Sequence, residues 1–350
     1  MAYWKKRKEI EVMRLLIVKL GAIGDIIMAL PVITEIKKKY PDASITWLCG
    51  SIVAGLLNSI PDIDKVIVVD ESKVFSSNKL EVAKAVLNLQ QILFLKKFDV
   101  VINFHHDNRY KIFTSLVQSK KTLHLNRNGE RPGLIPGRSR SFEHVRLFLE
   151  TDGNFDGDLI FPEDNIAEID LSKLNLSSGY VVIAPGGAKN TLNEQTLRRW
   201  PIEYYVKVAN YLIESGYQVA ITGIQTDSWV LEYFNNLPIV NLIGRLSIVE
   251  LIALMRKSKL VLTHDSGPYH LGVFAQTCDV LVLFGPTNPY EFIYGKREKI
   301  HFQWRGESLL CSPCYYGKFF SPKCNNNLCM QLITPNEIIH YISELFRNKY

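Results

Sequence analysis

The stretch THDSGPYHL, residues 263–271, decides how the chain reads. The apolar run LVLT (260–263) leads straight into it, in the manner of a strand buried on both faces. A short helical stretch follows, then a second apolar run, VLVLF (280–284), and a Gly-Pro turn. A chain that leaves a strand, turns at Asp265, Ser266 and Gly267, and starts a helix at Pro268 presents free backbone N–H groups at the helix start. Asp265 and Ser266 are favoured N-cap types. Those N–H groups and the positive end of the helix dipole attract anions, phosphates above all. His270, within the first turn, can add a donor on the same side. The stretch reads as the diphosphate-binding end of an α/β sheet.

Working outward, the second half of the chain repeats this rhythm. YVVIA (180–184) runs into Pro185-Gly186-Gly187, a helix is expected over 202–214, and QVAIT (218–222) ends at Gly223. Val240-Asn241-Leu242 leads to a helix over 248–256, and a last helix spans 335–347. The first half has its own series. RLLIVK (14–19) breaks at Gly21-Ala22-Ile23-Gly24-Asp25, and a helical pattern follows through Ile26, Leu30, Ile33 and Ile36, reset at Pro31. Strands follow at SITWLC (44–49), 65–69 and DVVINF (99–104), with a helix over 79–94; the last strand ends in His105-His106-Asp107.

Strands alternating with helices predict parallel sheets with right-handed crossovers. The polar stretch 151–178 reads as the linker. The expected organisation is a first domain over 1–165, a second over 178–334, and a C-terminal helix over 335–350 packing back on the first domain. In such sheets ligands bind beyond the carboxyl ends of the strands, so two facing domains make one cleft. Gly21-x-x-Gly24 lacks the G-x-G-x-x-G spacing of a dinucleotide fingerprint, which argues against an NAD enzyme.

At 350 residues, with 47% hydrophobic and 22% charged residues, the chain is long enough for two cores. Its net charge of +6 is partly local, at Lys5, Lys6, Arg7 and Lys8, at Lys37, Lys38 and Lys39, and between Arg109 and Arg146. That balance suits nucleotide phosphates, an acidic glycolipid or a membrane surface, although such runs are commonly just solvated faces. No apolar run approaches ~20 residues and the start lacks a signal-peptide core, so a cytoplasmic location is expected.

At this point the residues resemble a known family. VKLGAIGDIIMALPVITEIKKKYPDASITWL (18–48), PGG followed by RRWP (198–201), ITG (221–223), THDSGPYHL, LFGPTNP (283–289) and CSPC (311–314) are similar, in order, to the lipopolysaccharide heptosyltransferases, the ADP-heptose-dependent glycosyltransferase family 9. The resemblance implies a GT-B fold: two Rossmann-like domains, the acceptor on the N-terminal one and the donor nucleotide sugar on the C-terminal one. It also implies inversion at the anomeric carbon with no cofactor for catalysis. The partners implied are ADP-heptose and a lipopolysaccharide core acceptor; peripheral contact at the inner face of the cytoplasmic membrane is an expectation from the charge balance, and no nucleic acid is expected. Open alternatives are a relative that uses another nucleotide sugar or glycosylates protein, and a non-catalytic nucleotide-sugar-binding protein.

An inverting transfer needs a base for the acceptor hydroxyl and a site for the departing diphosphate. The family's base aligns with Asp25, whose bland alternative is a helix cap. Asp265, Ser266, Gly267 and His270 match the donor-phosphate motif. Lys19, Gly187, Gly223, Arg198, Arg199 and Asp227 are further donor-side candidates. Arg198 stands where relatives often carry Lys, and Arg199 is an equal candidate for the phosphate. His105, His106 and Asp107 end a strand on the acceptor side and read as a polar cleft wall. Asp62-x-Asp64 and Asp156-x-Asp158 look like metal-binding acidic pairs, but neither follows a convincing strand. Cys311, Cys314, Cys324 and Cys329, spaced C-x2-C…C-x4-C, point to a structural zinc or iron site, against a reduced, packed loop as the alternative. Cys49 and Cys278 read as buried and structural.

Overall fold

The computed structural model describes residues 12–74, 76–94, 96–105, 110–111, 114–115, 117–125, 138–151, 159–188, 194–295, 298–316, 319–320 and 324–348. The first series runs β1 (Arg14–Val18), α1 (Ile23–Ala29), α2 (Pro31–Lys39), β2 (Ser44–Gly50), α3 (Ala54–Asn58), β3 (Lys65–Val69), α4 (Glu71–Val74), α5 (Lys79–Leu93), β4 (Lys97–Asn103), β5 (Gln118–His124) and α6 (Arg140–Leu149). The second runs β6 (Val181–Ala184), α7 (Ile202–Glu214), β7 (Val219–Ile221), β8 (Val240–Asn241), α8 (Ile248–Lys257), β9 (Leu260–His264), α9 (Gly267–Ala275), β10 (Asp279–Phe284) and β11 (Ile300–Trp304). The short α10 (Leu328–Gln331) and the long α11 (Pro335–Arg347) follow.

Among the described residues these eleven strands make two parallel sheets, in the orders β3-β2-β1-β4-β5 and β11-β10-β9-β6-β7-β8, and Tyr315–Tyr316 pairs antiparallel with Phe319–Phe320 in a small ribbon apart from them. In each, the order reverses beside the first strand of its series. The crevices therefore open between β1 and β4 in the first sheet and between β6 and β9 in the second. β1, β6, β9 and β10 are buried almost throughout, which is why they read as unbroken apolar runs.

Pro31 opens α2 one residue after α1 ends, so the expected reset is a break between two helices. Residues 159–178 are mostly irregular, with one short 3₁₀ turn at Leu171–Leu174. The C-terminal helix corrects one expectation. Ile338, Ile342 and Phe346 of α11 pack into the core of the second sheet with Tyr205 and Val208 of α7, not onto the first domain. Its apolar stripe finds the nearest complementary stripe, on α7. No helix among the described residues is long and apolar enough to cross a membrane.

The two halves meet along α1, α6 and α9. Phe161 of the linker sets its ring against Phe274 at 5.3 Å in a T-shaped pair, and the Ser139 hydroxyl donates to the Ile293 carbonyl at 2.6 Å. Arg140 pairs with Glu291 at 3.2 Å, and Arg256 grips both oxygens of Asp164. One core cluster runs through this seam without a break.

Candidate active site

The turn after β1 is built around its backbone. Gly21 has φ +113°, a conformation open to glycine, and a Cβ there would come within 3.3 Å of the Asp25 carboxylate. Helix α1 takes Ala22 as its N-cap and no side chain caps it, so Asp25 lies in the first turn and is not the cap. That removes the bland reading of this residue. The Asp25 side chain is 37% exposed, and one oxygen lies 3.8 Å from the Lys19 ammonium, which is 8% exposed and donates to the Phe104 carbonyl at 3.3 Å. Burial pushes the Asp25 carboxyl up, but the Lys19 and Arg140 charges, joined by His144 and His270 only once these are protonated, outweigh it and hold the group below the usual aspartate range. Desolvation in turn lowers Lys19, against the pull of Asp25.

The second crevice holds the loop after β6 against the start of α9. Ser266 occupies the N-cap position, but its hydroxyl turns back to the His264 carbonyl at 3.1 Å. The helix start thus has no side-chain cap. Asp265, expected as a cap type, is buried to 1% and serves another purpose. One carboxylate oxygen accepts from the Thr287 hydroxyl at 2.7 Å and faces Arg198 at 3.3 Å, while the other has no hydrogen-bond partner among the described residues. Asp265 therefore ties three loops together behind the helix start.

Arg198 and Arg199, equal as phosphate candidates in the sequence, separate here. Arg199 grips the Gly187 carbonyl through Nε and Nη2 at 3.0 and 2.8 Å, pairs with Glu194, and lies over the Trp229 ring. It clamps the glycine loop, and Arg198 is the one directed at the α9 crevice. Asp227, 3% exposed, accepts from the N–H of Gly187 at 2.9 Å and of Ile224 at 3.0 Å. Gly186 and Gly223 leave room for it: a Cβ on either would fall within 3.0 Å of its side chain. Its carboxylate shapes the donor-side loop.

His270 faces the first domain. It is 4% exposed, its Nδ1 shares a hydrogen bond with the Tyr294 hydroxyl at 2.5 Å, and its Cδ2–Nε2 edge abuts Gly24. A Cβ on Gly24 would stand 2.4 Å from Cδ2, so this contact requires glycine. Burial brings the imidazole down to about 4, neutral at ordinary pH. Through that ring the start of α9 and the Asp25 turn are neighbours.

Three neighbours of Asp25 gave no local signal in the sequence. Arg140, at the start of α6, bears electrostatically on Lys19, Asp25, His144 and His270 and lies 4.6 Å from the Phe292 ring. His144 is buried, its Nδ1 3.2 Å from the Met28 carbonyl, and burial brings it down to about 3. Burial raises Glu71, which accepts from the Gly21 N–H and feels the Asp25 charge; its carboxylate would collide with a Cβ on Gly50.

The expected acceptor wall is changed. His105 is 7% exposed, accepts the Leu20 N–H on Nε2 at 2.8 Å and stacks on Tyr110 at 3.5 Å. It braces the Asp25 turn and does not line the cleft, because the Leu20 amide would otherwise be buried without a partner. His106 and Asp107 lie outside the described residues.

The four-cysteine site is likewise not assembled. Among the described residues no three cysteine, histidine or acidic side chains come together as metal ligands do. Cys311 is exposed, Cys314 and Cys329 are buried, and Cys324 is intermediate. The Cys324 sulfur accepts from the Asn327 N–H at 3.3 Å, and the Cys329 thiol donates to the Asn327 side chain at 3.6 Å. Burial, with the nearby Cys314, Cys324 and Cys311, pushes Cys329 up to about 11. The four thiols are near enough to bear on one another electrostatically, but they are not drawn into a ligand set. Cys49 and Cys278 are buried, as expected.

Comparison with known proteins adds to this geometry. The sequence model of glycosyltransferase family 9 (heptosyltransferase) matches residues 158–312. The lipopolysaccharide core heptosyltransferase OpsX of Haemophilus influenzae is 28% identical over 297 residues, 79% of this chain and 80% of the relative. A glycosyl transferase family 9 structure from Veillonella parvula superposes with a TM-score of 0.73 at 20% identity, covering 96% and 98% of the two chains. The Escherichia coli ADP-heptose lipopolysaccharide heptosyltransferase II superposes at 0.72 with 17% identity, covering 96% and 99%. These structures share the fold, two parallel sheets in the GT-B arrangement.

Proposed function

We propose that the chain is a heptosyltransferase of the glycosyltransferase family 9 kind, and that it moves heptose from ADP-heptose to a lipopolysaccharide core, inverting the anomeric carbon. One observation carries the reading. A half-exposed, ionised carboxylate on the first sheet lies beside an uncapped helix start on the second, joined through the Gly24–His270 contact.

The chemistry follows from that pairing. As the acceptor hydroxyl attacks the anomeric carbon from the face opposite the diphosphate, Asp25 takes its proton. The new C–O bond forms while the bond from the anomeric carbon to the diphosphate oxygen breaks, releasing ADP. The charge that builds on the leaving oxygens meets the N–H groups of the α9 start and the Arg198 guanidinium, held in place by Asp265. The positive groups around Asp25 keep it ionised and ready, though they also make it a weaker base.

Asp227 and Arg199 act on the donor through the loop they shape. Lys19 balances the Asp25 charge. The reduced thiols suit a cytoplasmic setting.

A donor screen tests this reading. ADP and ADP-heptose should raise the melting temperature at concentrations where GDP and UDP do not, and the transferred heptose should carry the anomeric configuration opposite to that of the donor by NMR. Retention of configuration, or transfer from a UDP- or GDP-sugar alone, would overturn it.

A further inference from the structure

Helix α5 is apolar on two opposite faces. Val86, Leu89 and Leu93 are buried against the first sheet. Leu80 and Leu87 lie on the other side of the helix, 73% and 57% exposed, and Phe94, just past its end, is 65% exposed. Their seven-residue spacing places them in one outward stripe about 20 Å long at the helical rise.

Lysines flank that stripe. Lys79 and Lys84 stand on the helix itself, and Lys65, Lys96 and Lys97 gather at its far end. Burial and the neighbouring Lys65 ammonium lower Lys96, a sign of crowded positive charge. Among the described residues none of these five lysines has a carboxylate within ion-pairing distance. The acid on the helix, Glu81, is held by the Ser76 hydroxyl at 2.7 Å.

We propose that the outer face of α5 is a membrane-docking surface that lies in the plane of an anionic lipid surface. Leu80, Leu87 and Phe94 enter the acyl boundary while the lysines meet the headgroups. The charge pattern selects this occupant. A second copy of the chain would set the same unpaired lysines against each other, whereas anionic lipid neutralises them. The docking itself does not depend on which sugar is transferred.

The test is flotation of the full chain with vesicles of phosphatidylcholine alone or mixed with phosphatidylglycerol. The parent protein should float with the mixed vesicles and release at high salt. Leu80→Ser combined with Leu87→Ser should weaken flotation by about tenfold or more, the scale of two leucines leaving an apolar phase. Lys79→Gln combined with Lys84→Gln should erase the preference for phosphatidylglycerol. Both variants should keep the parent's thermal response to ADP, which shows folding and an intact donor side. Three results overturn the proposal: no flotation of the parent, unchanged flotation of the leucine variant, or light scattering that shows a dimer which the leucine variant dissolves without any vesicle binding.

Discussion

Asp25 and Asp265 each follow the strand at the crevice of one sheet, and each stands at or just before the first turn of the next helix. Their surroundings differ. Asp25 keeps 37% of its side chain exposed, touches Lys19 loosely at 3.8 Å, and is held ionised by surrounding positive charge. Asp265 is 1% exposed and occupied by Thr287 and Arg198. The same residue type at the same place in a strand–turn–helix unit is thus left open to a reaction partner in one sheet and locked into a brace in the other. What separates them is packing. A carboxylate that must exchange a proton with an incoming hydroxyl needs access, and one that must hold a cation for a diphosphate needs rigidity.

Substitutions can break or sharpen that contrast. Asp25→Asn keeps shape but cannot accept the proton, so kcat should fall by about 10²–10⁴-fold, with melting temperature and ADP affinity nearly unchanged. Steady-state kinetics on a preparation checked for deamidation measures it; a near-parent rate would reduce Asp25 to a structural role. Asp265→Ala should act the other way. It leaves Arg198 and Thr287 without their buried partner, and unfolding should cost about 3 kcal/mol less in urea titration, with weakened ADP binding. Loss of turnover at full stability and full ADP affinity would make the two aspartates alike.

The smallest effect is a shift in a pH profile. Because Lys19 and its neighbours lower the Asp25 pKa, the base is ionised down to pH values below the ordinary aspartate range, and rate is lost only as pH falls through that depressed value. Lys19→Met removes the largest of the lowering charges, so the acid limb of kcat/KM should move to higher pH. An unmoved limb would mean that Asp25 is not the titrating base. Asp25's contribution to stability has the same sign: it is present above the unfolded carboxylate pKa and lost as pH falls.

Local sequence accounts for much of the architecture. α7 and α11 fall where apolar periodicity and flanking proline place them, and Thr334 with Glu337 forms a capping box at the start of α11. β3 and β10 are plain from apolar content alone. β5 is not. QSKKTLH, at the edge of its sheet, has no more than intermediate burial at any position, so no apolar pattern marks it. α6 hides within a run of charges because its buried face includes Ser141, Glu143, His144 and Arg146. Glu143 and Arg146 satisfy each other there, a pairing that needs the folded helix.

The sequence by itself determined the two α/β series, the glycine turns at their crevices and the presence of an aspartate at each, because these depend on residue periodicity and local backbone geometry. Only the tertiary structure decided what the side chains do. Arg199 became a clamp while Arg198 turned to the crevice, His105 braced Leu20, His270 crossed to Gly24, and the cysteines packed without forming a ligand set. Each of these outcomes rests on a partner distant in the chain, and burial makes every such partner matter, since a polar group taken from water must be met by another.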